Sequence, residues 1–207
     1  MFSKSLKLLA ASGLLSSVLA EPTRDQGQYH HHKLSSSPKK NYKSGGPITV
    51  HIAPHSHDDV GWLVTVEEYF KKVEVELTSI IHALLANPKR KFVEVEMKFF
   101  SMWWSHQNDE IKAKTKMLVK EGRLELINGG WSMHDEACPT YEDMINNMKI
   151  GHDFILENFN VKPRIGWQID PFGHSNTNAR IFAEMGFDAW FFARLDYADK
   201  EKRLNDQ

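Results

Sequence analysis

From residue 47 onward, apolar and polar positions switch repeatedly between a period of two and a period near 3.6. Ile48-Thr49-Val50-His51-Ile52 is a β-branched run that reads as a buried strand. The stretch 66–86 then places Val66, Phe70, Val73, Leu77, Ile80, Ile81, Leu84 and Leu85 at helical spacing, and Asn87-Pro88 ends it. This is an amphipathic crossover helix. Residues 92–97 alternate as a strand does, and Asn108 or Asp109 opens a helix through Ile111, Met117 and Leu118 that stops near Gly122. Residues 123–127 supply a third strand. Thr140-Tyr141-Glu142-Asp143 resembles a capping box, starting a helix through Met144, Met148, Phe154, Ile155 and Phe159. A fourth strand over 164–169, a short helix over 176–185 and a fifth strand over 188–193 follow. Residues 195–207 are charged and show no closing helix.

Five strands separated by helices imply an α/β fold of parallel β-α-β units, arranged as a barrel or as an open doubly wound sheet. The patterned region falls short of the roughly 250 residues typical of a complete barrel. An incomplete domain is therefore expected.

The chain before residue 47 reads differently. Lys4 and Lys7 lie in a short basic segment, followed by an apolar run from Leu8 to Ala20 with small residues at Val18 and Ala20. Residues 1–20 are expected to be a signal peptide cleaved before Glu21, which places the mature chain in the secretory pathway. No later run is long and apolar enough to span a membrane. Residues 21–46 hold almost no large apolar side chain and read as a disordered leader, in which the His30-His31-His32 triplet is assigned no role. Residues 47–207 form the folded portion.

Charge narrows the partners only slightly. The formal net charge is −1 for the whole chain, and it is lower by two without Lys4 and Lys7, which gives no electrostatic reason to expect nucleic acid. The single cysteine, Cys138, excludes a disulfide within the chain. Nothing in the sequence sets the oligomeric state.

In parallel β/α folds, ligands meet the carboxyl ends of the strands, so the residues there carry the chemistry. After the first strand come His55-Ser56-His57-Asp58-Asp59, where alternate residues can converge: His55, His57 and Asp59 form one possible metal-ligand set, with Asp58 facing away. Strand two runs into Phe99-Phe100-Ser101-Met102-Trp103-Trp104, strand three ends at Asn128-Gly129-Gly130-Trp131, strand four at Asp170 before Pro171, and strand five at Arg194. One rim thus collects His57, Asp59, Asp170 and Arg194 beside Trp62, Trp103, Trp104 and Trp131. Aromatic faces beside carboxylates suit a sugar. Core packing accounts for at least two of the four tryptophans, and Arg194 has a purely structural alternative as an ion-pair partner.

Four ordered motifs carry a resemblance. His-Ser-His-Asp-Asp-Val-Gly-Trp (55–62), Gly-Gly-Trp-Ser-Met-His-Asp-Glu-Ala (129–137), Trp-Gln-Ile-Asp-Pro-Phe-Gly-His-Ser (167–175) and Phe-Phe-Ala-Arg-Leu-Asp-Tyr (191–197) resemble the class II α-mannosidases of glycoside hydrolase family 38, especially the lysosomal type. The resemblance implies the N-terminal part of a seven-stranded β/α barrel. It implies a zinc ion (Zn2+) held by His57, Asp59 and Asp170, with Asp170 also the catalytic nucleophile, Arg194 supporting it, and Trp62 beneath the reacting sugar. The reaction implied is retaining exo-hydrolysis of terminal α-D-mannosides of N-glycans and oligosaccharides, in a lysosome or vacuole or outside the cell. The family's acid/base aspartate and its fourth metal ligand, a histidine, lie downstream of these motifs and have no match in the 207 residues. The chain taken alone is therefore expected to be incomplete and inactive.

Two other readings compete. A His-x-His pair after the first strand of a β/α barrel also serves metal-dependent amidohydrolases, in which Asp170 would act as a general base. A non-catalytic secreted carbohydrate-binding remnant is the second.

Overall fold

The computed structural model describes residues 47–206; the expected signal peptide (1–20) and leader (21–46) lie outside the described residues. The elements run α1 (Val66–Ala86), β1 (Phe92–Glu94), α2 (Met97–His106), α3 (Asp109–Lys120), β2 (Leu124–Leu126), α4 (Tyr141–Phe159), β3 (Ile165–Gln168), α5 (Asn176–Glu184), β4 (Ala189–Phe192) and α6 (Tyr197–Asp206). No described helix is long and apolar enough to cross a membrane.

All strand pairing among the described residues is parallel. β1 pairs with β2 in the register Phe92↔Leu124 to Glu94↔Leu126, and β3 with β4 in the register Ile165↔Ala189 to Gln168↔Phe192. Asn128 joins the two pairs. Its N–H donates to the Ile165 carbonyl (2.6 Å) and its Oδ1 accepts from Trp167 N (3.1 Å), with the backbone in the left-handed region at φ 55°. On the far side of β1, His55 bridges Val93, whose N–H reaches the Pro54 carbonyl at 3.0 Å. The neighbours therefore follow chain order, from segment 54–55 through β1, β2 and β3 to β4, with helices as crossovers. A doubly wound sheet would reverse its order part-way.

The expected first strand, 48–52, is not formed. Those residues have no ladder partner, and Val50 and Ile52 are 74% and 82% exposed, so β-branched composition alone does not make a strand where only one short bridge follows. Four strands are thus present among the described residues instead of five. The second strand is also shorter than expected, because Met97 already begins α2. Phe99, Phe100, Trp103 and Trp104 recur at intervals of one, three and four and form one buried helical face. The charged 195–207 tail contains a helix after all, α6, which is polar enough to hide its period.

Four of the crossover helices match expectation, and their ends show why. Thr65 caps α1 in a full capping box: its Oγ1 accepts from Glu68 N (3.3 Å) and its own N–H donates to Glu68 Oε2 (3.0 Å). The α1 C-terminus has no basic residue in its last turn. Arg123, just before β2, takes that place by donating through Nη2 to the carbonyls of Leu84 and Asn87 (2.8 Å to Asn87). At α4, Thr140 accepts from Asp143 N, but its hydroxyl bonds the Asp143 side chain, so the reciprocal half of the expected box is missing. Asn160 ends α4 in the left-handed conformation usually given to glycine.

The main core lies between α1, α2, α3 and the β1–β2 pair, built from Phe70, Val73, Leu77 and Ile81 against Phe99, Phe100, Trp103, Leu118 and Leu124. A smaller cluster of Met144, Met148, Ile181 and Phe182 fills the space between α4 and α5. One close backbone approach fixes the loop after β2. A Cβ at Gly151 of α4 would lie 1.9 Å from the Gly129 carbonyl oxygen, and one at Gly130 would meet Ser132 O at 2.7 Å. Only glycine allows the 129–131 loop to rest on α4 there.

Candidate metal centre

The carboxyl ends of consecutive strands bring the key side chains together. His57 and Asp59 follow the 54–55 bridge to β1, Glu96 follows β1 itself, Asp170 follows β3 and Arg194 follows β4. One ligand atom from each of His57, Asp59 and Asp170 falls within 4.8 Å of the others. His57 Nε2 is 3.2 Å from Asp59 Oδ1 and 3.6 Å from Asp170 Oδ2. Its other nitrogen, Nδ1, is 3.5 Å from Glu96 Oε1. The imidazole thus has carboxylates at both edges.

That crowding governs protonation in the metal-free protein. Glu96 first, then Asp59 and Asp170, push the His57 pKa up to about 9 against the opposing effect of burial. Glu96, 1% exposed, is itself raised by burial, with His57 pulling it back. Glu94, fully buried two residues earlier, is held well above the usual carboxylate range by burial and by Glu96.

The residues fit a divalent cation. His57 Nε2 is enclosed and makes no well-formed hydrogen bond, although two carboxylate oxygens lie 3.2 and 3.6 Å from it. One imidazole nitrogen and two carboxylate oxygens form a set that suits zinc among several metals.

Arg194 lies beside this group. Its Nη2 donates to Asp170 Oδ1 at 2.8 Å, and its guanidinium sits 5.1 Å from the Phe172 ring centroid. Its backbone is tied as well: His174 Nε2 donates to the Arg194 carbonyl (2.8 Å) while His174 Nδ1 meets Glu136 Oε2.

Other expected rim residues are placed elsewhere. His55 leaves the ligand set: its Nδ1 bonds the Ala53 carbonyl (2.9 Å) and its ring packs edge-on against Trp167. His55 is held in the bridge to Val93, so of the three alternate residues only His57 and Asp59, beyond it, converge. Asp58 does turn away, towards Ser56 and the Lys72/Glu76 face of α1, and burial raises its pKa. Trp103 and Trp104 belong to the core, where their indole N–H groups donate to Thr78 and Asn158. Trp131 is half-buried with Lys98 over its ring. Trp62 remains 72% exposed.

Sequence reasoning missed the buried polar groups behind the rim. In an alternating strand Glu94 and Glu96 belong on the solvent side, but both are buried here. Glu136, Asn178 and His134 form a second enclosed network, with Asn178 donating to Glu136 Oε1 and His134 Nε2 at 2.8 Å from Asn178 Oδ1. A Glu-x-Glu pair directly before a metal-ligand motif's neighbouring helix was the one available signal for Glu96.

Comparison with known proteins matches residues 47–207 to the Glycosyl hydrolases family 38 N-terminal domain. The chain is 52% identical over 170 residues to an alpha-mannosidase of Arabidopsis thaliana, covering 77% of this chain and 17% of the relative. It is 51% identical over 169 residues to lysosomal alpha-mannosidase of Dictyostelium discoideum (77% and 17%). With the human lysosomal alpha-mannosidase it shares 46% over 168 residues (76% and 17%). The chain therefore spans about 17% of the length of these relatives. Among solved structures, an alpha-mannosidase from Enterococcus faecalis superposes with a TM-score of 0.58 at 22% identity, over 68% of this chain and 16% of that one. That likeness speaks to fold.

Proposed function

The chain belongs to glycosyl hydrolase family 38, and we propose that it forms the N-terminal part of a seven-stranded β/α-barrel domain that hydrolyses terminal α-D-mannosides with retention. The observation that carries the reading is the convergence of His57, Asp59 and Asp170, with Arg194 on the second oxygen of Asp170. The sequential parallel strand order supports the barrel.

In this reading Asp170 is the nucleophile. Retaining hydrolysis needs a carboxylate that attacks the anomeric carbon and a carboxylic acid about 5–5.5 Å away that protonates the leaving oxygen. Asp170 stands at a strand tip, 37% exposed and open to a sugar from the rim side. The Arg194 guanidinium at Oδ1 favours its ionised form and fixes which oxygen is free. His57 and Asp59 hold the metal with Asp170, and Trp62, exposed three residues after Asp59, offers the apolar face on which a pyranose stacks. Zinc, when bound, would supply Lewis-acid contact to the cis 2- and 3-hydroxyls that distinguish mannose. Residues 1–20 as a signal peptide and the lysosomal relatives support a secretory route to a lysosome or vacuole. Family membership leaves the amidohydrolase alternative without support.

A chimera tests the assignment. Residues 47–207 replace the matching segment of the Canavalia ensiformis alpha-mannosidase, which is 50% identical over 170 residues. Turnover of 4-nitrophenyl α-mannoside that Asp170→Asn abolishes is the expected result. A folded, metal-loaded chimera without turnover, or one whose activity survives Asp170→Asn, overturns the role given to these residues.

A further inference from the structure

Glu96 occupies an unusual position. It is the N-cap residue of α2, yet its side chain makes no capping hydrogen bond. The first N–H groups of that helix are taken instead by the loop after β2: Met97 N donates to the Gly130 carbonyl (3.1 Å) and Lys98 N to the Trp131 carbonyl (2.9 Å). The glycine contacts with α4 hold that loop in place. The Glu96 carboxylate is thereby released from the cap while remaining at the positive end of the helix, where an anion is favoured.

Released, it turns to His57. The carboxylate is 1% exposed and neither oxygen has a hydrogen-bond partner. His57 Nδ1 is also enclosed and unpartnered, 3.5 Å from Glu96 Oε1. We propose that Glu96 is a positioning residue for the metal centre: its carboxylate accepts a hydrogen bond from the Nδ1–H of His57, fixes the ring, and leaves Nε2 bare towards Asp59 and Asp170. A metal-bound histidine needs such a partner on its second nitrogen to set tautomer and orientation. This inference rests on the metal reading of the site.

The test uses the full chain and Zn2+ in competition with a chromophoric chelator. Glu96→Gln should weaken zinc binding about 10–100-fold, while Glu94→Gln, which removes an equally buried carboxylate away from His57, should stay within about 3-fold of wild type. His57→Ala sets the floor. Wild-type binding no tighter than His57→Ala overturns the metal reading and this inference with it. Wild type well above His57→Ala, but matched by Glu96→Gln, overturns the role of Glu96 alone. A measurement on the wild-type chain covers the case in which Glu96→Gln does not fold: nitrogen-15 NMR of the zinc-loaded His57 ring should show a protonated Nδ1 and a metal-bound Nε2. Metal on Nδ1 would refute the proposal.

Discussion

Arg194 and Asp170 form an ion pair across the ends of β4 and β3, with Nη2 to Oδ1 at 2.8 Å, while the other Asp170 oxygen faces His57 at 3.6 Å. The two oxygens of one carboxylate are thus divided between an arginine and the candidate metal position. Both residues are partly exposed, so the pair contributes only about 0–1 kcal/mol to folding. Arg194→Lys keeps the charge but loses the planar fork. In the chimera it should lower kcat for the mannoside about 100-fold, the lower end of what loss of one charge-stabilising donor costs. Bound zinc should remain stoichiometric, and loss of metal in this variant would show that the division of oxygens is wrong.

Asp59 and Asp58 are neighbours with opposite fates. Asp59 Oδ1 lies 3.2 Å from His57 Nε2, whereas Asp58 turns to Ser56 and α1. Asp59→Ala should remove stoichiometric zinc from the full chain, since one hard ligand lost from a small set rarely leaves tight binding. Asp58→Asn should retain it. Elemental analysis after dialysis distinguishes the pair, and equal metal content in both variants would refute the ligand assignment.

The raised His57 pKa gives the metal-free chain a pH signature. Because the folded value, about 9, exceeds the ordinary 6.5, protonated His57 stabilises the fold fully below pH 6.5, and that contribution is lost as pH rises towards 9. The buried histidines His134 and His152 are shifted the other way, and their effect falls below pH 6.5. Thermal melts in chelator should therefore show Tm falling between pH 6.5 and 9. The buried carboxyls Glu94 and Glu96, raised by burial, act in the same direction as pH rises, so His57→Gln should reduce that slope without abolishing it; an unchanged slope would place its origin elsewhere.

Gly151→Ala tests the contact between α4 and the 129–131 loop. The new Cβ would meet the Gly129 carbonyl oxygen at 1.9 Å, so backbone must move, at a cost of about 1–3 kcal/mol or more. Urea denaturation should report the loss. Zinc affinity should fall with it, because the same loop caps α2 above Glu96.

Helices α1 and α4 were legible through their long apolar stripes, α3 through a shorter one behind its Asn108 cap, and the nine-residue α5 through its place between two strand-like runs. His57, Asp59 and Asp170 were legible through motif resemblance, and their meeting depends on a strand order that the sequence leaves open between barrel and open sheet. The aromatic run at 99–104 was misplaced because six residues satisfy either period, and only its burial against α1 selects the helix. Glu94 and Glu96 were invisible as interior groups, since alternation predicts which positions share a face but not that both faces are covered.

The chain-order arrangement of β1 to β4 also bears on synthesis. Each strand pairs with the segment made just before it, through Pro54–Val93, β1–β2, the Asn128 link and β3–β4. A nascent polypeptide emerging at about 5–20 residues per second can therefore add one strand-helix unit at a time to an existing edge, without waiting for a distant partner. Growth from one margin leaves β4, with Phe191 and Phe192 about half exposed, as the last strand to be added. A pause in translation once β4 has emerged would hold that hydrophobic margin open to chaperones in the meantime.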